Sequence, residues 1–184
     1  MSNRVCPWWL GYFLLNPLRG IIQSPEKILR EYIGKEMKVL DIGCGMGYFT
    51  LPIARILDDN GRVIAVDLQQ KMLQSLNKRA KQANLLNKIE ARLCTQNSLK
   101  IDDLSGEIDF VLAFAVVHEI PDKEQFFNEV DRVLRRGGML LIAEPKGHVK
   151  EEEFNDSIGL AQSKGFYIVD RPKIGRSLSV VLKK

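Results

Sequence analysis

A strand, a glycine-rich turn and the start of a helix follow one another between residues 38 and 57, and this succession constrains the fold most strongly. Residues 38–42 form a short apolar, β-branched run typical of a buried parallel strand, and residues 49–57 change to helical spacing. Between them lie Gly43, Gly45 and Gly47. Because glycine has no Cβ, such a turn bends sharply and lets backbone N–H groups approach a ligand closely. The stretch predicts a nucleotide-type binding site.

A second strand follows the helix and ends in an acidic residue. Residues 62–66 are apolar and β-branched, and Asp67 comes next. In nucleotide-binding βαβ units, a carboxylate about twenty residues beyond the glycine turn accepts hydrogen bonds from ribose hydroxyls. Asp67 has that spacing from Gly47. The combination of strand, turn, helix, strand and acid is therefore more specific than a glycine motif alone.

The details of the turn favour one kind of nucleotide. A dinucleotide-binding turn needs Gly-x-Gly-x-x-Gly, but Tyr48 occupies the place of the last glycine. Asp41 stands two residues before the first glycine, where its charge would repel a phosphate and attract an ammonium group or a hydroxyl. We therefore expect a cationic ligand without phosphate. A nicotinamide-dependent oxidoreductase remains as a less favoured alternative.

The run from Val39 to Gly47 closely resembles the first motif of the class I (Rossmann-like) S-adenosylmethionine (SAM) dependent methyltransferases. SAM carries a sulfonium, an amino group and no phosphate, as the turn requires. The resemblance covers roughly residues 24–184. It implies an α/β fold with a doubly wound, seven-stranded, mostly parallel sheet and a C-terminal antiparallel hairpin.

The later segments fit this fold. Helices are expected at 124–134, stopped by the basic residues and glycines of 135–138, and at 151–163, closed by Gly165. Further strands are expected at 88–93, 107–115, 139–143, 166–170 and 177–182.

The resemblance also implies a cofactor, SAM, with S-adenosylhomocysteine (SAH) as its product, and a set of binding residues. These are Asp41, Gly43, Cys44, Gly45, Asp67, Leu68, Met72, Thr95, Gln96 and Phe114, with Tyr12 as a further candidate that could reach the SAM carboxylate or the acceptor. The chain departs from the family near Thr95, where an Asp often accepts from the adenine amine. Thr95, Gln96 or Asn97 could supply a neutral acceptor instead.

Methyl transfer from a sulfonium needs alignment and exclusion of water more than acid–base groups. Where the nucleophile needs a base, the carboxyl ends of strands four and five offer His118, Glu119 and Glu144. His118 titrates near neutrality and is the candidate base, although a hydrogen-bonded histidine at a helix edge is the simpler interpretation. Glu144 is a second catalytic candidate that could bind a substrate amine or simply cap a loop.

The segment before residue 24 is rich in aromatic residues, including Trp8 and Trp9. We expect residues 1–23 to form a lid segment over the site and residues 24–184 to form the methyltransferase domain. Packing of a terminal helix on the sheet and an interfacial membrane anchor are the alternatives. Pro7, Gly11 and Pro17 interrupt the run too often for a membrane-spanning helix.

Composition narrows the partners. With 27 basic and 23 acidic residues, the net charge of +4 gives a weak bias toward polyanions, and the sequence has no strong nucleic-acid signature. The odd number of cysteines (three) and the absence of a recognisable secretory signal favour a cytoplasmic protein with reduced thiols. We expect no metal site and a small-molecule acceptor; arsenic methylation is disfavoured because Cys6, Cys44 and Cys94 show no characteristic pairing. A non-catalytic SAM-binding partner protein is the alternative to an enzyme, and the sequence does not determine the oligomeric state.

Overall fold

The computed structural model describes residues 24–184. The expectations for the lid segment 1–23 and for Tyr12 lie outside the described residues. The strands are β1 (Lys38–Ile42), β2 (Arg62–Asp67), β3 (Ile89–Leu93), β4 (Ile108–Phe114), β5 (Leu134–Pro145), β6 (Tyr167–Asp170) and β7 (Ser177–Lys183). The α-helices of the described part are α1 (Pro25–Leu29), α2 (Thr50–Ile56), α3 (Gln70–Gln82), α4 (Lys123–Val133) and α5 (Glu151–Ser163).

The strands form one seven-stranded sheet in the order β3-β2-β1-β4-β5-β7-β6. Strands β1 to β5 pair in parallel, and β7 pairs antiparallel with both β5 and β6. Strand β7 is thus inserted between β5 and the edge strand. The predicted fold class, including the C-terminal antiparallel hairpin, is confirmed.

Helices cover both faces of the sheet. On one face, Leu40 of β1 packs in a cluster with Phe126 of α4 and Phe154 of α5. On the other face, Val39 packs with residues of α1, α2 and α3, among them Leu29 and Ile53. Successive residues of a strand point to opposite faces, so a strand covered on both sides reads as a continuous apolar run. This is why residues 38–42 were recognisable as a buried strand.

One expected boundary is wrong. The basic residues and glycines of 135–138 do not stop α4, which already ends at Val133. Leu134 is extended, pairs with Ile108 of β4 and is 1% exposed, so burial of its side chain starts β5 directly after the helix. The glycines lie instead in an irregular part of β5, where the pairing register shifts and Gly137 has a φ of +76°.

Within residues 24–184, no helix combines the length and the apolar character needed to cross a bilayer. In an open parallel sheet, ligands bind beyond the carboxyl ends of the strands. Here the carboxyl ends of β1, β2, β3 and β4 meet at one edge of the sheet.

Candidate active site

A cavity opens at that edge of the sheet. Its walls come from the residues that follow β1 to β4 and from the first half of α4. Every cofactor-binding residue predicted within residues 24–184 lines it: Asp41, Gly43, Cys44, Gly45, Asp67, Leu68, Met72, Thr95, Gln96 and Phe114. The fold therefore brings together residues as far apart in the sequence as Asp41 and Phe114.

The glycine turn after β1 is held by the neighbouring strand. The backbone N–H groups of Gly43 and Cys44 both donate to the carbonyl of Val66, at 2.9 and 3.1 Å. Gly43 and Gly45 have φ values of +70° and +54°, which residues other than glycine rarely adopt. A Cβ at Gly43 would lie 2.7 Å from Cγ2 of Val116, whereas a Cβ at Gly45 would meet nothing within 4 Å. Gly45 therefore faces open space in the cavity, as a close backbone approach to a ligand requires.

Asp67 closes β2 and is tied to the turn. Its Oδ2 accepts the backbone N–H of Gly45 at 2.8 Å, and its Oδ1 accepts that of Gln69 at 2.8 Å. The carboxylate is buried, and this burial raises its pKa, while the backbone donors oppose the shift. The side chain still lines the cavity. A carboxylate fixed in this way suits the hydroxyl groups of a ribose.

Asp41 lies deeper, at the end of β1. It is 2% exposed, and its Oδ2 accepts a 2.6 Å hydrogen bond from the Thr50 hydroxyl. Burial raises the pKa of Asp41 to about 7; the Thr50 hydrogen bond opposes this shift, and the charge of Asp67 adds to it. A cation next to this carboxyl would stabilise its ionised form, whereas a phosphate would be repelled.

The loop after β3 forms another wall. The backbone N–H of Cys94 donates to the Asp67 carbonyl at 3.0 Å, and Thr95 pairs with Ser98 in an isolated bridge. Burial raises the pKa of Cys94 to about 11 and that of Cys44 well above its ordinary value. Both thiols are therefore protonated near neutral pH and fill space as weakly polar groups.

His118 and Glu144 lie beside the cavity and are not among the side chains that line it. Glu144 is 2% exposed, and its Oε1 accepts the N–H groups of Val116 and Val117 at 3.2 and 2.8 Å. Its Oε2 is paired with Nδ1 of His118. That hydrogen bond raises the pKa of His118, although desolvation opposes the shift. Glu144 thus holds the loop after β4, from which Val116 and Glu119 reach the cavity.

The sequence reasoning missed Glu129. This residue of α4 is 6% exposed, lines the cavity and accepts the N–H of Leu99 through Oε2 at 2.8 Å. A signal was available, because Glu129 follows Phe126 by three positions and precedes Val133 by four, and so shares the apolar face of the helix. A carboxylate on such a face needs a polar partner.

A doubly wound sheet of this order, with an acidic nucleotide-type site at the carboxyl ends of its strands, defines the fold of the class I SAM-dependent methyltransferases. A family model described as a methyltransferase domain matches residues 33–170. The chain belongs to this methyltransferase family. The predicted resemblance, and SAM as the cofactor of that family, are confirmed.

Known proteins agree with this assignment. The chain is 31% identical to a demethylmenaquinone methyltransferase of Lactobacillus johnsonii, over 62% of the chain and 49% of that protein. It is 32% identical to the mitochondrial ubiquinone biosynthesis O-methyltransferase of Homo sapiens, over 73% of the chain and 39% of that protein. The chain thus spans half or less of the length of these curated relatives. A SAM-dependent methyltransferase from Aquifex aeolicus superposes with a TM-score of 0.85 at 21% identity, over 97% of this chain and 99% of that one, which shows the shared fold.

Proposed function

We propose that the protein is a SAM-dependent methyltransferase that transfers a methyl group to a small-molecule acceptor. The observation that carries the proposal is the pair of buried carboxylates, Asp41 and Asp67, that line one cavity on either side of an open glycine turn. Names of small-molecule methyltransferases among the curated relatives support the acceptor class. We propose the cytoplasm as the location, because the described cysteines Cys44 and Cys94 form no disulfide.

The cavity fits SAM by the chemistry of its donors and acceptors. Asp67 would accept from the ribose hydroxyls and Asp41 would hold the ammonium group. The open side of Gly45 leaves space for the backbone to approach the ligand. Asp41 would repel a pyrophosphate in this place, and Tyr48 stands where a dinucleotide-binding turn has its last glycine. The nicotinamide alternative is therefore left without support, in agreement with the methyltransferase family model.

When bound, SAM supplies an activated methyl group on a sulfonium. The chain has to align the acceptor with this group and exclude water. The rings of Tyr48, Phe49 and Phe114 line the cavity and supply apolar walls for this purpose. The loop held by Glu144 forms the neighbouring wall, and we propose His118 as the group that removes a proton where the acceptor requires it. Since His118 lies outside the cavity lining, this step requires a shift of the loop or a bridging water.

A non-catalytic SAM-binding protein is the second candidate function. Such a protein would need the cofactor site and no base, and neither His118 nor Glu144 lines the cavity. Methyl transfer to any acceptor by the purified protein would remove this candidate.

The experiment that tests the proposal is a parallel calorimetric titration with SAM, SAH and NADH. Saturable binding of SAM and SAH without NADH binding is expected. An acceptor screen with methyl-labelled SAM then distinguishes the enzyme from the binding protein. Binding of NADH alone would contradict the proposal.

A further inference from the structure

Within the described part of the chain, the cavity is lined by acidic residues without basic ones. None of its described lining residues is Lys, Arg or His. Five of them carry a carboxylate: Asp41, Asp67, Glu119, Asp122 and Glu129. The chain as a whole has a net charge of +4, so the average surface charge does not explain this excess of acids. Asp41 and Asp67 belong to the proposed SAM site. Three carboxylates remain.

Two of these three already have structural tasks that use one oxygen each. Asp122 is the N-cap of α4 and accepts the N–H of Gln125 at 2.9 Å through Oδ1. Glu129 uses Oε2 for the N–H of Leu99. The Glu129 side chain is buried at 6% exposure and lines the cavity. A carboxylate at the wall of a cavity favours a ligand with hydrogen-bond donors or positive charge.

Glu119 lies on the wall formed by the loop after β4. Its side chain is 26% exposed, and its Oε1 lies 4.0 Å from Nε2 of His118. Three aromatic rings also line the cavity, with ring centroids 4.4 Å apart for Phe49 and Phe114 and 5.2 Å apart for Tyr48 and Phe49. The faces of such rings attract cations. The carboxylates and the aromatic ring faces of the cavity therefore both favour a cationic ligand.

We infer that the acceptor is an amine that enters the cavity as a cation, and that anionic acceptors are excluded. The inference rests on the proposed function and narrows its acceptor class. An anion would lose its hydration and meet like charges, because the described lining offers it no cationic partner. An ammonium group would find carboxylates in place of its lost water.

The proton balance of the reaction fits these residues. The bound ammonium loses one proton to Glu119, which lines the cavity and passes the proton to the proposed base His118, 4.0 Å away. His118 releases the proton to solvent, and the nitrogen regains its lone pair. The nitrogen then attacks the methyl carbon, so that a carbon–nitrogen bond forms while the carbon–sulfur bond breaks and its electron pair goes to sulfur. The product is a methylated ammonium and a neutral thioether. The positive charge thus moves from sulfur to nitrogen and stays near the carboxylates.

Three probes of similar shape and different charge test the inference: 2-phenylethylamine, 2-phenylethanol and phenylacetate. Their affinities for the SAH-saturated protein are measured by calorimetry, and methyl transfer is measured with labelled SAM. The amine is expected to bind at least about tenfold more tightly than phenylacetate. Glu119→Gln should reduce this preference by about threefold or more while SAH affinity stays within about twofold.

Glu124→Gln is the matched control. Glu124 lies on the same helix as Glu129 but pairs with Lys164 at 2.9 Å and is not among the residues of the cavity. This variant should keep the wild-type preference. Equal or absent binding of the three probes, or tighter binding of the alcohol or the acid, overturns the inference while SAH binding still supports the proposed function. Failure of the wild-type protein to bind SAH overturns the proposed function itself.

Discussion

The carboxylate of Asp67 at the end of β2 accepts a hydrogen bond from the backbone N–H of Gly45 at 2.8 Å. The contact joins the two halves of the nucleotide-type motif, which are 22 residues apart in sequence. One side chain therefore has two tasks. It fixes the glycine turn, and it offers its carboxylate to the cavity.

Asp67→Ala is expected to weaken both SAM and SAH binding. The variant loses a charged acceptor for the ribose as well as the anchor of the turn, and hydrogen bonds to charged groups contribute about 1.5–3 kcal/mol, or roughly 10- to 100-fold in affinity. Calorimetric titration measures the change. Asp59→Ala is the control, because Asp59 lies just before β2 with its side chain 96% exposed. Wild-type affinity in Asp67→Ala would contradict the assignment of this residue to the cofactor.

Asp41 predicts a pH dependence of cofactor binding. Its pKa of about 7 in the free protein means that the carboxyl holds a proton for much of the time below neutral pH. A cationic ammonium group favours the ionised form, so binding must release this proton. SAH affinity should therefore rise from about pH 6 to about pH 7.5, by up to about tenfold per unit below the pKa, while the α-amino group of the ligand keeps its proton.

Asp41→Asn tests the origin of this dependence. The variant cannot ionise, so its SAH affinity should be lower and nearly independent of pH over the same interval. Titrations in two buffers of different ionisation enthalpy count the released protons. A wild-type protein that releases no proton near pH 6.5, or an asparagine variant with an unchanged pH profile, would argue against the proposed role of Asp41.

Much of this site could be predicted from local sequence, because strand, turn, helix and acid are consecutive in the chain. The cavity positions of Asp41 and Asp67 follow from the parallel order of β1 and β2. The task of Glu144 could not be predicted in the same way, since its partners Val116 and Val117 are backbone groups of a distant loop. The start of strand β5 also could not be predicted from local sequence. Its start at Leu134 is set by tertiary burial, which overrides the glycines that usually end a helix.

Glu144→Gln is expected to lower both the pKa of His118 and the stability of the loop after β4. The hydrogen bond that the Glu144 carboxylate accepts from the His118 ring is the largest cause of the raised pKa of His118, so the variant should return this pKa toward its ordinary value of about 6.5. In the wild type, the folded-state pKa lies above the unfolded one. The pair therefore contributes its stability below about pH 6.5 and loses it as the pH rises through the raised pKa of His118.

Urea unfolding at low and high pH, together with an NMR titration of the histidine ring, measures both effects of Glu144→Gln. The loss in unfolding free energy should be about 1–3 kcal/mol and larger at the acidic end. Glu152→Gln, on the exposed side of α5, should change neither quantity. An unchanged His118 titration in Glu144→Gln would show that another group raises this pKa.

A comparison of Gly45 with Gly106 distinguishes the need for glycine at a positive φ from the need for open space next to a ligand. Gly45 and Gly106 have φ values of +54° and +70°, and a Cβ at either position would meet nothing within 4 Å. Gly45 lines the cavity, whereas Gly106 lies in the turn before β4 and does not.

Alanine should cost about 1 kcal/mol of unfolding free energy at both positions, because each residue would adopt a left-handed conformation. The added methyl group of Gly45→Ala also enters the space where a ligand approaches the backbone, so this variant should bind SAH at least about tenfold more weakly. Gly106→Ala should bind SAH like the wild type. Equal SAH affinities in the two variants would mean that the ligand does not approach the glycine turn, and the site would then have to be sought elsewhere in the cavity.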